Sequence, residues 1–297
     1  MKLSQLRDIV AIVEHGSLRA AARQLEIAQP LLTRSVRALE RELGTPLFER
    51  DAKGMTLTAA GTLFHRRASV IVHEARRAEE ELRQIDGSGG EGTVVAGLSI
   101  MPHTGLLPKA LVPFQRRYPK VRLQLIEGLF PALEGRLREG SVDFYLGASP
   151  QQPPAQGLLL QKLFSNHRAV FCRQGHPLAG ATSLQALLAA EWATTAVDYD
   201  ASNELAHLFT QHGLPAPSIS LLAGSALSMM VALAETDLVA MLPVQWGDFA
   251  PFAGALQRIA VTEVLPAPDI VLIRRPDLPL TPAAEHLVDL MMRWAPL

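Results

Sequence analysis

Gln29-Pro30-Leu31-Leu32-Thr33-Arg34-Ser35-Val36-Arg37-Ala38-Leu39-Glu40-Arg41-Glu42-Leu43-Gly44 is the stretch from which the rest of the chain is read. Pro30 fits the first turn of a helix, where a missing N–H costs nothing, and Gly44 supplies the stop. Leu32, Val36, Leu39 and Leu43 recur at four-three-four spacing as an apolar stripe on one face. Thr33, Arg34, Arg37 and Arg41 stand opposite, with the reach and donor chemistry for phosphates and base edges in a major groove.

Upstream, Leu3, Leu6, Val10 and Val13 mark a helix closed by His15-Gly16, and Ser17 is a suitable cap for the next, Leu18 to Leu25. Ala21 and Ala22 are small enough there for a third helix to cross closely. Downstream, Leu47 to Arg50 and Met55 to Thr58 flank Asp51-Ala52-Lys53-Gly54, which predicts a hairpin with Arg50 and Lys53 near its tip. Three helices and a hairpin make a winged helix-turn-helix over residues 1–58. A basic helix face alone is usually only solvated, but four coincident features point to DNA.

Residues 59–86 predict one long helix. Phe64, Ala68, Ile71, Ala75, Ala78, Leu82 and Ile85 hold four-three spacing along it, an a/d seam that wants a partner helix. The other faces carry Arg66, Arg67, Arg76, Arg77, Glu79, Glu80 and Glu81, so the seam is expected to pair two chains and present two recognition helices to a two-fold site. Asp86-Gly87-Ser88-Gly89-Gly90-Glu91-Gly92 then predicts a hinge, 87–92.

From 93 to 297 strand and helix patterns alternate, as in Thr93 to Leu98, Leu106 to Arg117 and Arg122 to Glu127, which predicts a mostly parallel α/β sheet. Later strands are expected at Val142 to Gly147, Ala169 to Cys172, Trp192, Ile219 to Ala223, Leu238 to Leu242 and Ile270 to Arg274. The 297 residues, 48% hydrophobic, allow two or more cores. Cys172 is the only cysteine, which excludes an internal disulfide and fits a reducing, cytoplasmic setting. Asp8 and Glu14 interrupt any secretory signal near Met1, and the longest uncharged apolar run, Leu221 to Ala234, is short of the roughly 20 residues of a membrane span, so no membrane association is expected.

The net charge of −1 hides a gap: no Lys or Arg lies between Arg173 and Arg258, while seven acids do. An anionic ligand could draw no cationic side chain from that segment, leaving hydroxyls, backbone N–H groups or His103. Enzyme chemistry is not expected: P-loop, nucleophile-elbow, zinc-protease and Cys-x-x-Cys motifs are missing, so neither cofactor nor metal is implied. Glu204-x-x-His207 with His212 reads as a polar exposed helix, and Cys172 as a packed strand residue.

Ser17-Leu18-Arg19-Ala20-Ala21-Ala22, Gln29 to Glu40, Leu43-Gly44-Thr45-Pro46-Leu47-Phe48-Glu49-Arg50 and Leu57-Thr58-Ala59-Ala60-Gly61 resemble the LysR-type transcriptional regulators. Weaker similarity continues through Leu107-Pro108, Tyr118-Pro119, Glu127-Gly128 and Gly140 to Phe144. The resemblance implies a bacterial regulator of promoter DNA, a homotetramer built from dimers, with a periplasmic-binding-protein-like effector domain of two sub-domains. These would be I, about 93–161 and 268–297, and II, about 162–267, joined by crossovers near Lys162 and Leu265-Pro266-Ala267-Pro268. It carries DNA contacts to Gln29, Thr33, Arg34, Arg50 and Lys53, with Pro30 and Arg37 beside them. It places an effector-contacting hydroxyl at Ser99, in the segment with Met101, His103 and Thr104, and a second region at Leu129 and Phe130; Thr194, Thr195 and Val197 face them from the second lobe. Two positions depart near the recognition helix. Ala28 and Thr33 stand where the family usually has Ser, and Ala28 forgoes a capping hydrogen bond of ~0.5 to 2 kcal/mol. Leu129, where Ser or Thr is common, implies an apolar ligand portion; aromatic sulfonates, sugars and organic acids are the effector classes implied.

Overall fold

The computed structural model describes residues 1–51, 54–85, 91–195, 201–249 and 254–295. At the N-terminus α1 (Leu3–His15), α2 (Leu18–Gln24) and α3 (Gln29–Leu43) pack around Ile9, Ile12, Leu32, Leu39 and Leu47. Ser17 caps α2 by accepting from the Ala20 N–H at 3.1 Å, and Gly44 ends α3 at φ 68°. β1 (Phe48–Asp51) and β2 (Gly54–Leu57) form the antiparallel wing, with Arg50 opposite Met55. Glu40 of α3 holds the wing, its Oε1 accepting from Leu47 N–H at 2.9 Å and Phe48 N–H at 3.2 Å. Thr58 opens α4 (Ala59–Ile85) by accepting from the Gly61 N–H at 2.9 Å. Gly61 is required: a Cβ there would lie 1.9 Å from the Leu47 carbonyl oxygen.

Thereafter the chain builds two five-stranded sheets. The order is β3 (Gly92–Leu98), α5 (Ile100–Gly105), α6 (Leu107–Arg117), β4 (Val121–Glu127), α7 (Phe130–Glu139), β5 (Phe144–Ala148), β6 (Leu159–Phe164), β7 (Arg168–Arg173), β8 (Glu191–Thr195), α8 (Ala201–Gln211), β9 (Ser218–Ala223), α9 (Ala226–Glu235), β10 (Leu238–Pro243), β11 (Leu256–Ile259), β12 (Ile270–Arg274) and α10 (Pro282–Met292). Lobe I has strand order β4-β3-β5-β12-β6 and lobe II β11-β7-β10-β8-β9.

The expected mostly parallel arrangement is met in strand direction, since four of the five strands in each sheet run the same way and one, β12 in lobe I and β7 in lobe II, is reversed. β3 pairs in parallel with β4 and β5, and β8 with β9 and β10, but β12 runs antiparallel to β5 and β6, and β7 to β10 and β11. The antiparallel pairs involve the strands on either side of the two passages between lobes, where the chain enters a sheet from the other lobe rather than by a helical crossover within it. The sub-domain limit at 161/162 is corrected: it falls inside β6, which belongs to lobe I, so the first passage is Ser165 to His167. The return lies between β11 and β12, as expected. Gly92 already belongs to β3, and residues 86–90 of the expected hinge lie outside the described residues.

The seam on α4 divides. Phe64 and Ala68 pack against Leu6 and Val10 of α1, and Ala68 is buried there, a correction to its assignment as a partner contact, while Phe64 is half-buried: α4 starts by crossing its own DNA-binding head. Further along, Ile71 (46% exposed), Ala78 and Leu82 (68%) remain open, and Ala75 is half-buried. Ile85 ends the helix, and its side chain lies outside the description. Nor is the charged face wholly solvated. Arg77 is 5% exposed, its Nη2 donating to Asp143 Oδ1 at 2.6 Å and to the Gly140 carbonyl at 3.3 Å. Asp143 Oδ2 accepts from Val95 N–H (2.7 Å), Glu80 Oε1 from Thr93 N–H (3.1 Å) and Gln84 Oε1 from Ala283 N–H (3.0 Å). α4 is thereby clasped to lobe I.

His73, buried beside Gly140 in this clasp, has its imidazole pushed down from 6.5 to about 4, by burial first and then by Arg76 and Arg77. A base whose folded pKa is depressed favours the folded state while neutral. Its contribution, about 3 kcal/mol, is complete above about pH 6.5 and is lost as pH falls towards 4. His73→Gln should flatten the pH dependence of the urea unfolding midpoint in that window; slopes matching wild type would refute the assignment.

Candidate DNA interface and effector cleft

α3 presents the expected face. Leu32, Val36 and Leu39 are buried, while Gln29, Pro30, Arg34, Arg37 and Arg41 are exposed. Pro30, Thr33, Arg34, Arg37 and Arg41 line a concave surface closed by Thr45 and Pro46. The Thr33 hydroxyl is half-buried and donates to the Gln29 carbonyl at 3.1 Å, so towards a groove it offers acceptor lone pairs. Ala28 stands at the N-cap without a side-chain bond, as the substitution for Ser requires. Arg50 sits in β1; Lys53 lies outside the described residues. The sequence reading missed the bond that seats this helix: Ser35 Oγ donates to Asp8 of α1, whose carboxyl is pushed up by burial against the opposing effect of that bond.

Between the two lobes lies a cleft of about 750 Å³. Ser99, Met101, Leu129, Phe130, Thr194 and Thr195, all expected there, line it. Ser99 forms part of its floor, its Oγ accepting from Ala148 N–H at 3.2 Å and bonding Tyr145, whose phenol is pushed far up by burial. Tyr145 donates in turn to the Ala148 carbonyl at 3.0 Å. His103 and Thr104 do not line the cleft, a correction. They lie a helical turn further along α5, tied to the backbone: His103 Nδ1 is 3.2 Å from the Ser99 carbonyl, and Thr104 donates to Ile100 O at 3.1 Å. Val197 lies outside the described residues.

Several polar cleft residues escaped the sequence reading. Among them, Asn166 comes from the first passage between lobes, Arg168 from the first position of β7, Glu204 from α8 and Glu134 from α7. Arg168 lies just before the cation-free segment, so lobe II does bring a guanidinium to the cleft. It donates to Glu204 Oε2 at 2.6 Å and to the Pro266 carbonyl at 3.2 Å. Glu204 is therefore not part of an exposed polar face, which corrects that reading; His207 is exposed and bonds Gln211 at 2.9 Å. Among the described residues no His, Cys, Asp or Glu group is arranged to hold a metal. Glu127, at the end of β4, bridges the lobes: its Oε1 accepts from Ala226 N–H, at the start of α9, at 2.9 Å.

A winged head with a basic groove face and a two-lobed domain with a cleft now stand in one chain. Residues 3–62 match the bacterial regulatory helix-turn-helix proteins of the lysR family, and residues 87–296 match the LysR substrate binding domain. The chain belongs to the LysR-type transcriptional regulators. Over 98% of its length it is 30% identical to the SDS degradation transcriptional activation protein of Pseudomonas sp. (strain ATCC 19151), covering 95% of that protein. It is 28% identical to the regulator GalR of Pseudomonas putida, over 96% of this chain and 72% of that one. In fold it matches full-length OxyR of Pseudomonas aeruginosa (TM-score 0.73, 23% identity, 98% of this chain and 94% of that one). It also matches CbnR in complex with its target DNA (TM-score 0.69, 22% identity, 99% and 100%). As a LysR-type regulator it binds DNA through the winged head and takes a small-molecule effector in the C-terminal domain. No helix among the described residues is long and apolar enough to cross a membrane.

Arg34→Ala should weaken operator binding without lowering thermal stability, since the side chain is exposed on the groove face. If Arg34 meets a phosphate, the slope of log K against log salt falls by about one; if it reads a base, preference relaxes at a single position. Fluorescence anisotropy over a salt series measures both, and binding unchanged in both respects would remove Arg34 from the interface.

Proposed function

We propose that this protein is a cytoplasmic homotetramer, a pair of dimers, that holds promoter DNA through Gln29, Pro30, Thr33, Arg34 and Arg37 of α3 and Arg50 and Lys53 of the wing. A small effector seated between the lobes on Ser99, Met101, Leu129, Phe130, Thr194 and Thr195 alters how the assembly sits on its operator. One observation carries the coupling. β3, which runs directly into Ser99 at the cleft floor, is bonded to α4 at Thr93 and, through Asp143 and Arg77, at Val95. A ligand that prefers one arrangement of the lobes therefore acts on the helix that carries the DNA-binding head. The relative named for degradation of SDS acts in a pathway for an alkyl sulfate, and the apolar side chains of Met101, Leu129 and Phe130 suit an aliphatic body here too.

Two measurements test this reading. Ile71→Asp places a carboxylate in the exposed part of the α4 seam. It should weaken dimerisation by about a hundredfold or more, because an unpaired charge resists burial between helices. Analytical ultracentrifugation decides, and wild-type sedimentation would place the interface elsewhere. Ser99→Ala should blunt the effector response while leaving DNA affinity unchanged; a normal response, or lost operator binding, would reject the cleft assignment.

A further inference from the structure

We propose that the effector is a small organic cation, an amine bound as its ammonium with an apolar body, because the carboxylates that line the cleft outnumber its one guanidinium and already engage it. The inference rests on the cleft being the effector site. Arg168 is the only Lys or Arg among the described lining residues, and its guanidinium is engaged by Glu204 at 2.6 Å. The first N–H of α9, Ala226, is taken by Glu127 from the opposite lobe at 2.9 Å. At the start of α7 the Phe130 N–H is bonded to Tyr145, Pro131 has no N–H, and the Ala132 N–H returns to the Leu129 carbonyl at 3.2 Å. An anion entering here would compete with a carboxylate for Nη1 of Arg168 and for the Ala226 N–H.

Donors meet the opposite situation. Glu127, Glu134 and Glu204 line the cleft against the single guanidinium of Arg168, so the side-chain charge is negative. In each, one oxygen is bonded as described, Glu134 through Oε1 to Ala155 N–H at 2.7 Å, and a carboxylate accepts more than one donor. Asn166 supplies an independent sign. It is 8% exposed, lines the cleft at the passage between lobes, and its Oδ1 has no hydrogen-bond partner. Buried acceptors are rarely left unpaired, and a ligand N–H would satisfy this one once the lobes move to uncover it. Ile100, Met101, Leu129, Phe130 and Met229 give the apolar wall that a bare ammonium ion would not need.

The test uses the full chain and two probe series with constant bodies: butylamine, butanol and valerate, then phenethylamine, phenethyl alcohol and hydrocinnamate. Thermal shift at neutral pH and calorimetry should show the amines raising Tm, with affinity about tenfold or more above the matching carboxylates, the scale of one charge-assisted hydrogen bond. Glu204→Gln releases the guanidinium and should lower the amine preference by about tenfold. Asn166→Leu, which keeps the side-chain size, should weaken the amines and leave the carboxylates as they were. Carboxylates binding more tightly than amines, alcohols matching amines, or no shift with any amine at millimolar concentration would overturn the proposal while leaving the cleft assignment standing. A ligand shift identical in wild type and both variants would overturn the cleft assignment and the proposal together.

Discussion

The ion pair between Arg77 and Asp143 sits where three pieces of the molecule meet. Both side chains are buried, and Asp143 uses its second oxygen on the Val95 N–H while its own N–H goes to the Val95 carbonyl at 2.9 Å. A pair this deeply desolvated adds little net stability compared with apolar residues of the same shape, yet removing one partner strands a charge at a cost of about 3 to 5 kcal/mol. Its contribution is therefore positional: α4, β3 and the loop before β5 can dock in only one register. At its other end α4 buries Ala68 against α1, so one helix is fastened to both the DNA-binding head and lobe I.

That double attachment explains what the sequence could and could not convey. The winged head was legible to within a residue or two because its signals are local: Ser17 before α2, Pro30 in the first turn of α3, Gly44 after it. The α4 seam was legible as a period but not as a destination, since four-three spacing states that a stripe is buried and not what buries it; Ala68 satisfies it within the chain. Arg77, Glu80 and Gln84 were illegible for the converse reason. Charged residues read as solvated unless their partners are known, and these partners lie at Asp143, Thr93 and Ala283. β6 and β11 were missed because Gln161 and Lys162 break the apolar pattern of the first and the second is only four residues long.

The cleft shows the same division. Ser99, Leu129, Phe130, Thr194 and Thr195 follow or end strands, and strand ends are where an α/β domain places its ligand groups, so their position agrees with the resemblance that pointed to Ser99, Leu129 and Phe130. Asn166 belongs to a passage between lobes, Arg168 to the strand that follows it, and Glu204 to a helix 36 positions beyond Arg168. Their charge was visible in the sequence; their pairing was not. The cation-free segment from Gln174 to Gln257 is real, but the guanidinium that matters enters from the first residue of β7. His103 and Thr104 fell out because α5 carries them a turn beyond the floor.

The bond from Glu127 to Ala226 sets the energy scale on which such a regulator works. It is exposed, and a hydrogen bond to a charged group is worth about 1.5 to 3 kcal/mol at most, less where water competes. The lobes also meet where α5 packs on lobe II, Ile100 against its core and Gly105 beside Gln245, and two backbone passages join them; these contacts restrict but do not abolish their relative motion. A ligand need then prefer one lobe arrangement by only about 1 to 3 kcal/mol to redistribute the population, a difference that one or two well-placed donors supply. The clasp on α4, by contrast, is buried and multiply bonded. In the proposed coupling a change in lobe arrangement therefore reaches α4 through this clasp with lobe I, and the DNA-binding head through the packing of α4 on α1.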